Sequence, residues 1–336
     1  MNAAADLGLT VVIPTFERPA LLEKALRALF AERNVPVGWE ILVVDDGSRD
    51  RTREVVESLR PESPVPLRYL FQENRGPAAA RNLAIRQAAG VIILFLGDDI
   101  IVQPGLLREH VECHRQHPDP AVAVLGHVTW SPGVKITPFM RWFERSGEQF
   151  DFAAIQDQDD VDPGSYFYTS NLSLKRRFFE ETRELFDESF RHAVLEDIDL
   201  GRRLARHGLR LEYRSAALAH HEHAMSLRSY VGRMELCGEY SRLLAAKDEA
   251  APVAPPSGAA APGRPRRGVS FWIEYPYYLF RIGLEAARTW PWYLVARYYE
   301  RRAIAERAFA GVHQHAFSRG VLKLEARRIA SKLRLR

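Results

Sequence analysis

The stretch Val11–Pro19 reads VVIPTFERP, and Ile41–Asp50 reads ILVVDDGSRD. Each is a short aliphatic run that stops abruptly in a polar turn marked by proline or glycine. A continuous apolar run of that length fits a strand buried on both faces, as in a parallel sheet. Between the two, Ala20–Ala31 carries apolar residues at helical spacing. Strand, helix and strand make a βα unit, and a chain that opens this way is expected to repeat it.

Working outward, strands are expected at Leu9–Ile13, Glu40–Val44, Leu67–Phe71, Val91–Leu96 and Ala121–Val128. Helices are expected near Ala20–Ala31, Arg51–Leu59, Pro77–Ala88 and Pro104–Gln116. The first four strands end in PTFERP, DDGS, QENRG and GDD. Open α/β sheets bind ligands beyond the carboxyl ends of their strands, so these turns are expected to share one site.

The turns carry oxygen acceptors and donors of anion-binding type. Thr15 and Glu17 lie after the first strand and Asp45-Asp46 after the second. Such acceptors suit the N–H of a base and the hydroxyls of a ribose, although Asp46-Gly47-Ser48 reads equally as a turn and helix cap. NRGPAAARN at Asn74–Asn82 opens a helix at Gly76-Pro77, whose first N–H groups suit an anion. Arg81 on that helix reaches a diphosphate, buttresses the strand ends or faces solvent. FLGDDIIVQPG at Phe95–Gly105 puts Asp98 and Asp99 directly after a buried strand, costly unless they are hydrated or hold a cation. Hard oxygen ligands there fit Mg²⁺ or Mn²⁺ shared with substrate phosphates.

Two later segments stay open on spacing alone. VLEDIDLGRRLARHGLR at Val194–Arg210 starts a helix with Glu196, Asp197 and Asp199, which serve either the helix dipole or, facing a cleft, a general base. AHHEHA places His220, His221 and His223 close enough for a metal ligand, in an order unlike the HExxH of zinc proteases. The acidic run Asp157–Asp162 lacks the glycine and distal glutamate of an EF-hand and reads as a solvated loop.

Composition sets the outer limits. A chain of 336 residues with 46% hydrophobic content can bury one large domain plus an appendage. The net charge of +4 is unevenly spread, since Arg264–Arg336 holds 16 Lys/Arg against 5 Asp/Glu. The basic excess belongs to this tail, so no nucleic acid is expected as a partner of the body. Trp272, Tyr275, Trp290, Trp292, Tyr293, Tyr298 and Tyr299 accompany that charge and suit either packing or an anionic membrane surface. Residues 247–268 form a Pro/Ala/Gly-rich linker. The expected division is therefore 1–246 as catalytic domain, 247–268 as linker and 269–336 as a basic, aromatic, helical extension. Cys113 and Cys237 read as buried thiols. The start of the chain lacks the pattern of a secretory signal, and no apolar run reaches membrane-span length. A cytoplasmic protein, peripheral on the inner face of the membrane, is the expectation.

Taken in order, these motifs closely resemble glycosyltransferase family 2 over roughly residues 8–245. The family's V(V/I)IPT(Y/F) is Val11–Phe16, its DDGS is Asp45–Ser48, and its N-x-G-x-x-x-A-R-N is Asn74–Asn82. Its DxD strand end is Gly97–Asp99, with glycine at the first position, and its ED helix start is Glu196–Asp197. SNLSLKRRFFEE at Ser170–Glu181 resembles the stretch beside the donor sugar. The resemblance implies a GT-A fold, a mostly parallel sheet flanked by helices, and inverting transfer from a nucleotide sugar, UDP-linked most often, with Mg²⁺ or Mn²⁺. It implies donor contacts from Pro14, Thr15, Glu17, Asp45, Asp46, Asn74, Arg81, Asp98 and Asn171. It makes Asp99 a metal ligand, one of His220, His221 and His223 (His221 first) a later metal or phosphate ligand, Asp197 the base and Glu196 a residue of the acceptor side. A saccharide or lipid-linked acceptor follows, in polysaccharide or glycolipid synthesis at the cell surface.

Other classes fit less well. A dinucleotide dehydrogenase needs GxGxxG where this chain has PTFERP. A response regulator would be much shorter, and a sugar nucleotidyltransferase would carry a glycine-rich basic loop after the first strand. A catalytically degenerate relative that only binds carbohydrate is the non-enzyme alternative.

Overall fold

The computed structural model describes residues 7–147, 152–155, 161–247 and 312–323. The βα pattern is present from the start. Strand β1 (Leu7–Thr15) leads through helix α1 (Pro19–Phe30) to β2 (Gly38–Asp45), then α2 (Thr52–Leu59), β3 (Leu67–Phe71), α3 (Pro77–Gln87) and β4 (Ile92–Leu96). Leu9, Val11, Val12 and Ile13 of β1, and every residue of β4, are buried. Helix α1 begins at Pro19, whose missing N–H costs nothing in a first turn, and buries Leu22, Ala25, Leu26 and Leu29.

The remaining elements are β5 (Ile100–Val102), α4 (Leu106–Gln116), β6 (Val122–Trp130), α5 (Pro138–Arg145), α6 (Pro163–Tyr166), β7 (Asn171–Lys175), α7 (Arg176–Thr182), α8 (Glu196–Ala205), β8 (Arg210–His221) and α9 (Leu227–Lys247). The eight strands form one sheet in the order β3-β2-β1-β4-β7-β6-β8-β5. Strands β3, β2, β1 and β4 run parallel, as do β6 and β8, while β7 and β5 pair antiparallel with their neighbours. The chain leaves β1 toward β2 on one side and returns to β4 on the other. The carboxyl ends of β1 and β4 therefore flank a topological switch point, where such sheets bind ligands.

Strand β7 corrects one expectation. Asn171, expected beside the donor sugar, is fully buried opposite Leu96 of β4. Its Nδ2 donates to the carbonyls of Ala217 (2.9 Å) and His127 (3.3 Å), and its Oδ1 accepts from His110 Nε2 at 2.9 Å. Alternate residues of a strand share a face, and here Asn171, Ser173 and Lys175 form a polar ladder against α4. Ser173 Oγ lies 2.8 Å from His110 Nδ1 and 2.9 Å from His114 Nε2, and Lys175 Nζ lies 3.1 Å from His114 Nδ1. Burial pushes the His110 imidazole down to about 4, so it stays neutral and serves as donor and acceptor at once.

The chain divides into two compact units, one of residues 1–135 and 152–224, the other of 136–151 and 225–336. The described part of the second comprises α5, α9 and a helical stretch at 312–323. Phe139, Phe143 and Tyr230 are buried together there, and the Tyr230 hydroxyl lies 2.6 Å from His313 Nδ1. Gly238 and Gly320 let two helix backbones meet. A Cβ on Gly320 would fall 1.8 Å from the Glu235 carbonyl, and one on Gly238 would fall 2.1 Å from that of Phe317. Of the expected 269–336 extension only 312–323 is described. The linker from 248 to 268, the tail aromatics named above and the acidic run at 157–160 lie outside the described residues. Among the described residues no helix is long and apolar enough to cross a membrane.

The ladder on β7 makes a testable distinction. Asn171→Ala leaves two carbonyls and the His110 N–H without their partner, so it should lower unfolding free energy by about 1–3 kcal/mol. Urea denaturation measures this. The folded variant should keep the donor KM of the wild type, because the lost bonds are internal.

Candidate active site

The two carboxylates after β4 organise the switch point. Asp98 is nearly enclosed, and its Oδ2 accepts from Thr15 Oγ1 at 2.8 Å, joining the carboxyl ends of β1 and β4. Asp99 follows at the rim. Burial, and then the neighbouring Asp99 charge, push the Asp98 carboxyl up to about 6. One guanidinium meets both groups: Arg18 Nη1 donates to Asp98 Oδ1 at 3.1 Å and to Asp99 Oδ2 at 2.9 Å. Sequence reading passed over Arg18, although it sits inside the quoted VVIPTFERP turn. Gly97 fits closely beneath the pair, since a Cβ there would lie 2.8 Å from Asp99 Oδ1.

Strand pairing delivers a third group. Antiparallel β5–β8 pairing sets Ile100 opposite His221, and the Glu222 N–H donates to the Asp99 carbonyl at 2.8 Å. His221 Nε2 lies 3.7 Å from Asp99 Oδ2. Its Nδ1 donates to the His223 carbonyl at 3.0 Å, so the neutral ring carries its lone pair on Nε2, on the Asp99 side. Among the described residues no three His, Cys, Asp or Glu side chains converge as a complete metal cage. A carboxylate oxygen and an imidazole nitrogen nevertheless fit the part of an Mg²⁺ or Mn²⁺ shell that protein supplies when substrate phosphates and water provide the rest.

The expected nucleoside residues line the neighbouring turns. Asp45 Oδ1 accepts from the Ser48 N–H at 2.8 Å and its Oδ2 from the Tyr69 hydroxyl at 2.7 Å. Asp46 accepts from Gln72 Nε2 at 2.7 Å and from the N–H groups of Arg75 (2.9 Å) and Gly76 (2.8 Å). The Asp46 carboxyl thus holds the turn that leads into α3, through the N–H groups of the two residues before the helix. Glu17 has a left-handed backbone (φ 51°), and its N–H donates to Ser48 Oγ at 2.8 Å. Pro14 is half-buried, and Phe16 and Asn74 are exposed beside these turns.

Helix α8 separates its two leading carboxylates. Leu195 before it adopts φ 65°, an uncommon conformation for a branched residue. Glu196, expected on the acceptor side, points inward: it is 2% exposed, and its Oε1 accepts from Arg81 Nη1 at 2.8 Å. Arg81, expected near the phosphates, is itself buried, with its guanidinium carbon 5.4 Å from the centre of the Phe186 ring. Successive residues of a helix point about 100° apart, so Asp197 takes a different direction and is half-buried. Burial, and then the Asp197 charge, raise the Glu196 carboxyl to about 7 despite Arg81.

Residues 10–191 match the profile of glycosyl transferase family 2. The chain belongs to glycosyltransferase family 2. Among the relatives of this family 2 chain is validoxylamine A glucosyltransferase of Streptomyces hygroscopicus subsp. limoneus. It is 34% identical over 223 residues, which cover 60% of this chain and 48% of that protein. The chain spans about half the length of the curated relatives it matches first. Another relative, the GalNAc(5)-diNAcBac-PP-undecaprenol β-1,3-glucosyltransferase of Campylobacter jejuni, is 36% identical over 101 residues, 30% of this chain and 32% of that one. Among solved structures, the mannosyltransferase PcManGT of Pyrobaculum calidifontis, in complex with GDP-Man and Mn²⁺, superposes with a TM-score of 0.55 at 19% identity, covering 90% and 85% of the two chains. S. aureus TarS 1–349 with UDP-GlcNAc gives 0.51 at 17% identity, covering 94% and 92%. These likenesses establish the GT-A fold.

The raised Glu196 carboxyl has a stability consequence. A carboxyl that holds its proton more tightly folded than unfolded stabilises the fold fully below its unfolded value, near 4.5, and loses that contribution as pH rises through about 7. The difference in unfolding free energy between wild type and Glu196→Gln should therefore change in the variant's favour between those pH values and level off outside them. Denaturation curves across that range measure it.

Proposed function

We propose that this chain transfers a hexose from a nucleoside-diphosphate donor to an acceptor hydroxyl, with inversion at the anomeric carbon and dependence on Mg²⁺ or Mn²⁺. The observation that carries the reading is the Asp98–Asp99 pair beside His221 at the switch point of the sheet. A divalent ion held by Asp99 and His221 would neutralise the charge that develops on the leaving diphosphate. The chain's own residues do the rest. Asp45 and Asp46 brace the turns that frame the nucleoside, and Asp46, with three of about four acceptor directions in use, keeps one for a ribose hydroxyl. Pro14, Thr15, Glu17 and Asn74 complete that frame. Thr15 also fixes the Asp98 carboxylate so that the charged pair does not reorient as the donor arrives.

Inversion in one displacement requires a base on the face opposite the leaving group. Asp197 is our choice for it. Glu196 is committed to Arg81 in the interior and acts as a positioning residue that anchors the first turn of α8. Asp197, one position on, can remove the acceptor proton as the new C–O bond forms. A single displacement breaks the donor C–O bond at the diphosphate, forms one C–O bond to the acceptor and leaves the proton on Asp197.

For the donor we favour a UDP-sugar, and glucose as the sugar, because the matched relatives include several glucosyltransferases. For the acceptor we favour a saccharide or lipid-linked saccharide at an anionic membrane face, on the strength of the basic residues of Arg264–Arg336. A small soluble acceptor is the second reading, favoured by the 34% identity to the validoxylamine A enzyme over 60% of this chain. Turnover of UDP-glucose with lipid-linked or soluble acceptors separates the two, and absence of all turnover would favour a carbohydrate-binding relative.

Asp197→Asn should reduce kcat by about 10²-fold or more while UDP binding persists. Glu196→Gln should remain the more active of the two. Proton NMR of the product should report the anomeric configuration opposite to that of the donor, and a retained configuration would contradict the single displacement.

A further inference from the structure

Arg18 is a charged group in contact with both carboxylates of the switch point, and the proposed reaction leaves it without a task. Its position is built rather than casual. Pro19 disfavours a helical backbone at the residue before it, and Arg18 accordingly has φ −134° and ψ 49°. Glu17 before it is held in the left-handed region with its N–H on Ser48 Oγ. The Arg18 carbonyl receives the N–H groups of Leu21 and Leu22, at 3.1 and 3.0 Å, fixing the residue as the cap of α1. The turn thus presents the side chain at the carboxylates.

The contacts are specific to one nitrogen. Nη1 alone bridges Asp98 Oδ1 and Asp99 Oδ2, while Nε and Nη2 make no hydrogen bond to the described residues. The side chain is 43% exposed, against 8% and 14% for its two partners. The Asp99 oxygen it occupies, Oδ2, is also the oxygen nearest His221 Nε2, at 3.7 Å. A guanidinium and a divalent ion cannot both use that oxygen at full strength, since each brings positive charge to the same few ångströms.

Resting on the donor and metal reading above, we propose that Arg18 is a resident counter-cation of the Asp98–Asp99 pair, displaced by the divalent ion and then turned to the donor's diphosphate. Two adjacent carboxylates, one of them enclosed, need a cation in every state of the protein. With no donor bound, Arg18 supplies it. Once the metal takes Asp99, the guanidinium is released beside the incoming phosphates, whose oxygens match its fork of donors. Metal loading and diphosphate capture are thereby coupled, each favouring the state the other needs, and the coupling is reciprocal.

The test is a thermodynamic cycle on the full chain, with Mn²⁺ and UDP as probes and binding read by calorimetry. Mn²⁺ alone should bind Arg18→Gln on the order of tenfold more tightly than wild type, the factor that freeing one charged hydrogen bond supplies. The factor by which saturating Mn²⁺ tightens UDP should shrink in Arg18→Gln by a similar amount. Arg18→Lys, which keeps the charge and loses the fork, should bind Mn²⁺ as weakly as wild type while still losing part of the coupling. Unchanged or weaker Mn²⁺ binding in a folded Arg18→Gln, or undiminished coupling, would overturn the proposal. Asp99→Asn keeps the two readings apart: if it leaves Mn²⁺ binding intact, the metal site itself is misassigned, whereas loss of Mn²⁺ binding there with no effect of Arg18→Gln refutes only the role of Arg18.

Discussion

Two neighbouring carboxylates, one of them enclosed by protein, cannot stand at the end of a buried strand without positive charge beside them. That electrostatic constraint organises the catalytic unit. Strand β4 must be buried on both faces to sit at the centre of the sheet, so Asp98 leaves it into a place where water reaches poorly. The groups that compensate come from three separate elements. Thr15 arrives because β1 lies beside β4, Arg18 because the β1–α1 turn is fixed by Glu17 and Pro19, and His221 because β8 pairs with β5 directly after the carboxylates. The topology can be understood as the means by which these side chains meet.

A second division of labour follows from burial. Asp45 and Asp46 accept internal donors on both oxygens, and Glu196 is turned inward with one oxygen on Arg81. Asp98 and Asp99 instead meet the Arg18 guanidinium at the switch point, and Asp197 is half-buried at the start of α8. Acidic residues that look equivalent along the chain thus differ in burial and in the donors that the fold brings within reach.

Strands β1, β2 and β4 were legible because a strand buried on both faces is largely apolar, and LTVVI, EILVV and VIILFL leave little alternative. Strand β7 was not, because NLSLK alternates and its polar face turns inward to a ladder of histidines that only the tertiary structure assembles. Resemblance alone places Asn171 among the donor contacts, and the ladder takes up its amide inside the fold. Strand β5 has three residues and β8 mixes charged and apolar positions, so neither carries a periodic signal. The site was legible as a set of carboxylate-bearing turns. Arg18 was not, since nothing along the chain links it to residues some eighty positions later, and the inward turn of Glu196 depends on Arg81, more than a hundred positions earlier.

The most direct test of this account is to locate the ion. Crystals grown with UDP and Mn²⁺ and measured at the manganese absorption edge should give an anomalous peak in contact with Asp99 and His221, with UDP phosphate oxygens completing the shell and the Arg18 guanidinium moved off Asp99. A peak remote from Asp99, or bound UDP with Arg18 still bridging both carboxylates and no peak between them and the phosphates, would contradict it.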